Sequence, residues 1–145
     1  MEMNFVKVHT VKDLTISVIL IAVGIALFFV NKGFGVTIAV CGIFLLLFYK
    51  SGYRCDGSGP VLFKKAFDVA RSCRQPLLDF MEGKEVEPEI SAPAEGGVIR
   101  IEVYFSKDAE IAYAQLFDFS DYTYQKATEI VELKGDRARK LIAKL

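Results

Sequence analysis

"LTISVILIAVGIALFFVNKGFGVTIAVCGIFLLLFY", Leu14 to Tyr49, carries one charged side chain, Lys32, between two apolar runs. Leu14–Val30 and Phe34–Tyr49 are each slightly shorter than the roughly 20 residues that cross a bilayer. Flanking residues such as Val11, Gly33 and Gly52 can extend them, or the bilayer can thin locally. Neither run shows the 3.6-residue polar stripe that a soluble helix needs for its wet face. Each Leu, Ile, Phe or Val near a membrane centre favours insertion by about 0.3–0.6 kcal/mol. A cleaved signal peptide would show a small-residue processing site after Val30, and a second apolar run follows instead. The stretch predicts two transmembrane helices over 14–49.

"NKG", Asn31 to Gly33, predicts a tight turn, with Asn and Gly able to adopt a left-handed helix cap. The helices are then antiparallel neighbours. Ala22 and Ala26, and Gly35, Ala39 and Gly42, form small-residue faces that permit close backbone approach. They can pack the hairpin against itself, a second copy or a partner protein. Lys7 and Lys12 precede the hairpin, and Lys50, Arg54, Lys64 and Lys65 follow it, against Lys32 at the turn. The positive-inside rule then places both termini in the cytoplasm, at the inner membrane if the source is bacterial.

The organisation expected is an N-terminal cytoplasmic segment at 1–13, the membrane hairpin, a juxtamembrane hinge at 50–60, and a small cytoplasmic α+β domain at 61–145. Within that domain "GPVLFKKAFDVARSCRQPLLDFMEG" reads as an amphipathic helix starting at Pro60 and interrupted at Pro76. Residues 82–97 read as an acidic loop. "VIRIEVYF" alternates as a half-buried strand, and "IAYAQLFDF" returns as its hairpin partner. "YTYQKATEIVEL" reads as a third strand, with a helix as the competing assignment. "GDRARKLIAKL" closes the chain as a helix whose charges match its dipole. The expected order is α-β-β-β-α with an antiparallel sheet.

At 145 residues the chain suits one domain, or a small domain with an appendage. A formal net charge of zero argues against nucleic acid as partner. Three cysteines without a CxxC, and a single histidine, His9, supply no zinc set; free thiols in a reducing compartment are expected. "DGSG" at 56–59 lacks P-loop and dinucleotide spacing, so the Gly57–Pro60 loop reads as a hinge, with a weaker anion-binding alternative. Asp118 and Asp121 lack an EF-hand's spacing. No histidine follows residue 9 to serve as a general base, and no nucleophile motif occurs, so no catalytic residue, cofactor or metal is expected.

Charge is unevenly spread. Residues 50–74 carry six basic and two acidic side chains, 75–132 four and thirteen, and 133–145 five and one. Basic residues just inside a membrane attract anionic headgroups, which marks Lys50, Arg54, Lys64, Lys65 and Arg71 as lipid-contact candidates. Tyr104, Tyr113, Phe119, Tyr122 and Tyr124 are candidates for a partner surface, or else build the core. The function expected is a membrane-anchored adaptor or accessory subunit that binds a protein partner at the inner membrane face. The alternatives are a homo-oligomeric, channel-like assembly and a domain that binds an anionic small ligand or lipid headgroup.

Overall fold

The computed structural model describes residues 3–93 and 97–145. Residues 94–96 of the expected acidic loop, and 1–2 of the N-terminal segment, lie outside the described residues. Four helices and an antiparallel sheet make up two compact units, Asn4–Val61 and Leu62–Leu145.

The first unit begins with a short strand, β1 (Phe5–Val8), which leads into helix α1 (Val11–Phe28). Thr10 starts α1 through a capping box. Its Oγ1 accepts from Asp13 N, and the Asp13 carboxylate accepts from Thr10 N. Two helix-end donors are thereby satisfied reciprocally. Asn31 caps α2 (Lys32–Phe48), its Oδ1 accepting from Phe34 N at 3.2 Å. Asn31 has an extended backbone, φ −143°, so it starts the second helix rather than closing the first in a left-handed cap. The helices lie against each other along Gly24, Gly35 and Gly42. A Cβ on Gly24 would sit 2.5 Å from Ala39 N, and one on Gly42 would sit 2.8 Å from Ile21 Cγ1. At 1.5 Å per residue the 18-residue α1 is about 27 Å long. Among the described residues it is the one helix long and apolar enough to cross a membrane; α2 is apolar and has 17 residues.

Strand β2 (Gly52–Cys55) pairs antiparallel with β1, Phe5 opposite Cys55 and Val8 opposite Gly52. It turns back into β3 (Ser58–Ala70) through Asp56 and Gly57, both with positive φ, 52° and 76°. This is the two-residue turn that Asp-Gly favours, because its twist matches that of the flanking strands. The Gly57–Pro60 loop expected as a hinge is therefore part of a β-hairpin, Gly57 in its turn and Ser58–Pro60 at the start of β3.

The helix expected from Pro60 is also corrected. Residues 62–70 run as a strand paired with β4 (Val98–Ser106), from Leu62↔Ser106 to Ala70↔Val98. Apolar Phe63, Phe67 and Val69 fit a period of two as well as they fit 3.6, and the aromatic and β-branched content suits a pleated surface. A 3-10 turn, Arg71–Cys73, then leads to α3 (Arg74–Met81). Pro76 lies in the first turn of α3, where its missing N–H has no helical acceptor to lose.

β4 pairs with β5 (Ile111–Ser120), as the alternation predicts. The expected third strand is split into β6 (Thr123–Lys126) and β7 (Val131–Lys134), and both pair with β5. Helix α4 (Asp136–Lys144) ends the chain. The observed order in this unit is β-α-β-β-β-β-α. Helices α3 and α4 contribute Leu77, Phe80, Ala138 and Leu141 to a core with Val69, Ile99, Ile101, Val103 and Leu133. On β5 the core side consists of Ala112, Ala114 and Leu116. Its bulkier aromatic set faces the other way.

Candidate functional site

Two places combine exposed or charged side chains with a defined scaffold, one in each unit. In the first unit the open end of the α1–α2 hairpin is closed by Asp13, which is only 4% exposed. Its Oδ2 accepts from Thr10 N at 3.1 Å and Ser51 N at 2.9 Å, and Ser51 Oγ donates to it at 2.8 Å. One carboxylate thus ties the beginning of α1 to the segment after α2. Other polar side chains of the hairpin bond back to their own helix: Thr15 Oγ1 to Val11 O, Ser17 Oγ to Asp13 O and Thr37 Oγ1 to Gly33 O. Outward positions are apolar and exposed, including Val18, Ile19, Val23, Ile25, Val36, Val40, Phe44 and Leu47.

The packing residues sort into two groups. Gly35 and Gly42 are buried in the helix seam and Ala39 lies against Gly24 within it. Ala22 and Ala26 are exposed on the outer side of α1. Gly24, the seam glycine of α1, was not singled out by spacing because no small residue precedes or follows it at four.

In the second unit the sheet face away from α3 and α4 carries a connected row of ions and rings. Lys64 and Arg100 both approach Glu102 Oε1, at 3.7 and 3.8 Å. Lys64 lies over the Tyr104 ring and Arg100 over the Tyr124 ring, 5.5 and 5.2 Å from their centroids. Tyr124 donates its hydroxyl to Asp68 at 2.7 Å and packs against Phe119 at 5.2 Å between centroids. The Asp68 carboxylate, first by that hydrogen bond, raises the Tyr124 pKa above the ordinary phenol value.

At the tip of this face, Asp121 and Tyr122 make the β5–β6 turn with φ 51° and 62°. A bulky L-residue in the left-handed region costs roughly 1–2 kcal/mol relative to the right-handed one. Tyr122 nevertheless occupies it while 94% exposed, with Phe119 46% exposed nearby on β5. Of the five aromatic candidates, Phe119 and Tyr122 are exposed, Tyr104 and Tyr124 are half-buried, and Tyr113 is buried.

The lipid-contact candidates also divide. Lys50 is exposed and Arg54 half-exposed, both beside the hairpin base. Lys64 is engaged with Glu102 and Tyr104, and Lys65 lies over the Phe105 ring at 5.9 Å. Arg71 is exposed beside a cleft of about 310 Å³ shared with Gly97, Asp118 and Phe119. A second cleft, of about 540 Å³, lies between α4 and residues 83–87. Its cations are engaged internally: Arg137 donates to Lys84 O and Lys140 pairs with Glu87. Among the described residues no three His, Cys, Asp or Glu side chains converge as metal ligands do.

No family model, curated protein or solved structure matches the chain.

Proposed function

We propose that the protein is a membrane-anchored adaptor. The α1–α2 hairpin crosses the bilayer twice, both termini lie in the cytoplasm, and the α+β unit engages a protein partner. The observation that carries this reading is the hairpin's outer surface. Its exposed side chains are predominantly apolar, and the hydroxyls it carries bond back to their own helix, Thr15 and Thr37 on the outer surface and Ser17 within the seam. In water such a surface would aggregate; in lipid its backbone is satisfied and its side chains match the solvent.

The partner surface is the β5–β6 tip, Phe119 and Tyr122, with the ring of Tyr124 behind them. An exposed aromatic held in a turn where glycine would be less strained points to a role other than folding. Exposed tyrosines are also frequent anchors at protein interfaces. A photo-crosslinking residue at position 122, in native membranes, should trap a partner in a discrete heavier species. That species should vanish when Phe119 is changed to Ser. Recovery of uncrosslinked chain alone would refute the adaptor reading.

A further inference from the structure

Unit Asn4–Val61 holds the basic side chains Lys7, Lys12, Lys32, Lys50 and Arg54 and the carboxylates Asp13 and Asp56. Lys32 is at the hairpin tip. The other four gather at the open end. Lys12 is in the first turn of α1, Lys50 follows the cap of α2, and Lys7 and Arg54 lie on the paired strands β1 and β2. Thr10 and Ser51 are both bonded to Asp13, at the start of α1. Lys7 and Arg54 each lie three residues beyond those anchors, hence at most about 10 Å away at 3.3 Å per residue. A headgroup layer is about 5–7 Å deep on each side, and long basic side chains reach back toward it.

These cations have no anion of their own. Among the described residues Lys7, Lys12, Lys50 and Arg54 form no ion pair. Arg54 Nε is buried without a hydrogen-bond partner. Both carboxylates of the unit are occupied: Asp13 by Thr10 and Ser51, Asp56 by Asn4 N at 3.0 Å. In the other unit Lys64, Arg74, Lys84, Arg100, Lys134, Arg139 and Lys140 each meet a carboxylate. Tyr49, exposed at the cap of α2, and Tyr53, half-buried on β2, each stand two residues from Ser51, and amphipathic rings of this kind anchor to an interface.

We infer that the base of the hairpin is a binding surface for anionic phospholipid headgroups, with Lys7, Lys12, Lys50 and Arg54 supplying the positive charge. Arg54 is the residue suited to hold a phosphate through two parallel N–H donors, and the lysines act as point charges. This inference rests on the membrane reading above. It replaces Lys64 and Lys65, whose charges are engaged on the sheet, with Lys7 and Lys12.

The test uses the full chain in phosphatidylcholine vesicles doped with spin-labelled phosphatidylglycerol or spin-labelled phosphatidylcholine. The immobilised fraction of each label gives the preference of the protein-contacting lipid shell. The expected preference for phosphatidylglycerol is at least about three-fold. It should fall to near unity in a variant carrying Lys7→Gln, Lys12→Gln, Lys50→Gln and Arg54→Gln. Changing Lys84, Lys134, Arg139 and Lys140 to Gln should leave it intact. A wild-type preference of one, or an unchanged preference in the base variant, overturns the inference. Alkaline extraction of the same vesicles separates the two levels. Chain that stays in the bilayer without lipid preference refutes this inference alone, whereas chain that is extracted refutes the membrane reading as well.

Discussion

Replacing Asp13 by Ala should open the base of the hairpin. The carboxylate accepts three donors, Thr10 N, Ser51 N and Ser51 Oγ, at 3.1, 2.9 and 2.8 Å. Hydrogen bonds to a charged group contribute about 1.5–3 kcal/mol each, and an orphaned buried backbone N–H costs about 1–3 kcal/mol. These terms overlap, because losing the acceptor is what leaves the N–H groups unpaired. The expected net cost of Asp13→Ala is therefore about 3–5 kcal/mol rather than their sum. Ser51→Ala removes one donor and leaves the carboxylate bound to both backbone groups, so it should cost about 1.5–2 kcal/mol, the lower part of that range. Asp13→Asn should fall between them, since the amide retains one acceptor but turns an NH₂ toward the donors. The assay is reversible unfolding of the full chain in mixed micelles, followed by circular dichroism as denaturing detergent is increased. A cost below about 1 kcal/mol for Asp13→Ala, or a larger cost for Ser51→Ala, would refute the argument.

Gly24→Leu should separate the helices and cost about 3 kcal/mol or more in the same titration, because even a Cβ would lie 2.5 Å from Ala39 N. Ala22→Leu, on the outer side of α1, should change stability by less than about 0.5 kcal/mol. Tyr122→Gly should relieve the left-handed turn and stabilise the chain by about 0.5–1 kcal/mol while abolishing partner capture by a photo-crosslinking residue placed at the neighbouring exposed position 123. Destabilisation would instead make Tyr122 a packing residue. The Asp108 carboxyl is held below the usual range, first by the Ser106 hydroxyl at 2.6 Å and then by Glu110 N at 3.1 Å. A depressed pKa gives stability that is present above the unfolded carboxyl value and is lost as pH falls through the folded one. Asp108→Asn should therefore flatten the acid limb of the stability–pH curve and leave its neutral and alkaline parts parallel to wild type.

The two apolar helices are legible from the unbroken length of their apolar runs, and the β4–β5 pair and the last helix because each shows one period without competition. Val98–Phe105 alternates strictly, and Arg137–Lys144 places Ala138 and Leu141 on one side and four basic residues elsewhere. Residues 61–70 misled because Leu62, Phe63, Phe67 and Ala70 satisfy a helical stripe, while the partner that makes them a strand, β4, is distant in sequence. Local pattern cannot reveal a long-range ladder. Two local signals were present and informative: Asp56-Gly57 marks a two-residue hairpin turn, and Thr10-x-x-Asp13 marks a capping box before an apolar run. The role of Asp13 in binding Ser51 was not legible, because Ser51 comes near only when α2 has returned along α1. The ion row on the sheet face was hidden for the same reason. Its members come from β3, β4 and β6, and only the register sets Arg100 over Tyr124 and Tyr124 beside Asp68.

The central claim, a two-pass hairpin with its open end in the cytoplasm, is tested most directly by sided thiol labelling. Single cysteines at positions 32 and 144, in an otherwise cysteine-free chain, are exposed to a membrane-impermeant maleimide in intact cells. Position 32 should be labelled from outside, and position 144 only after the membrane is permeabilised. Labelling of both positions from the same side would contradict the account.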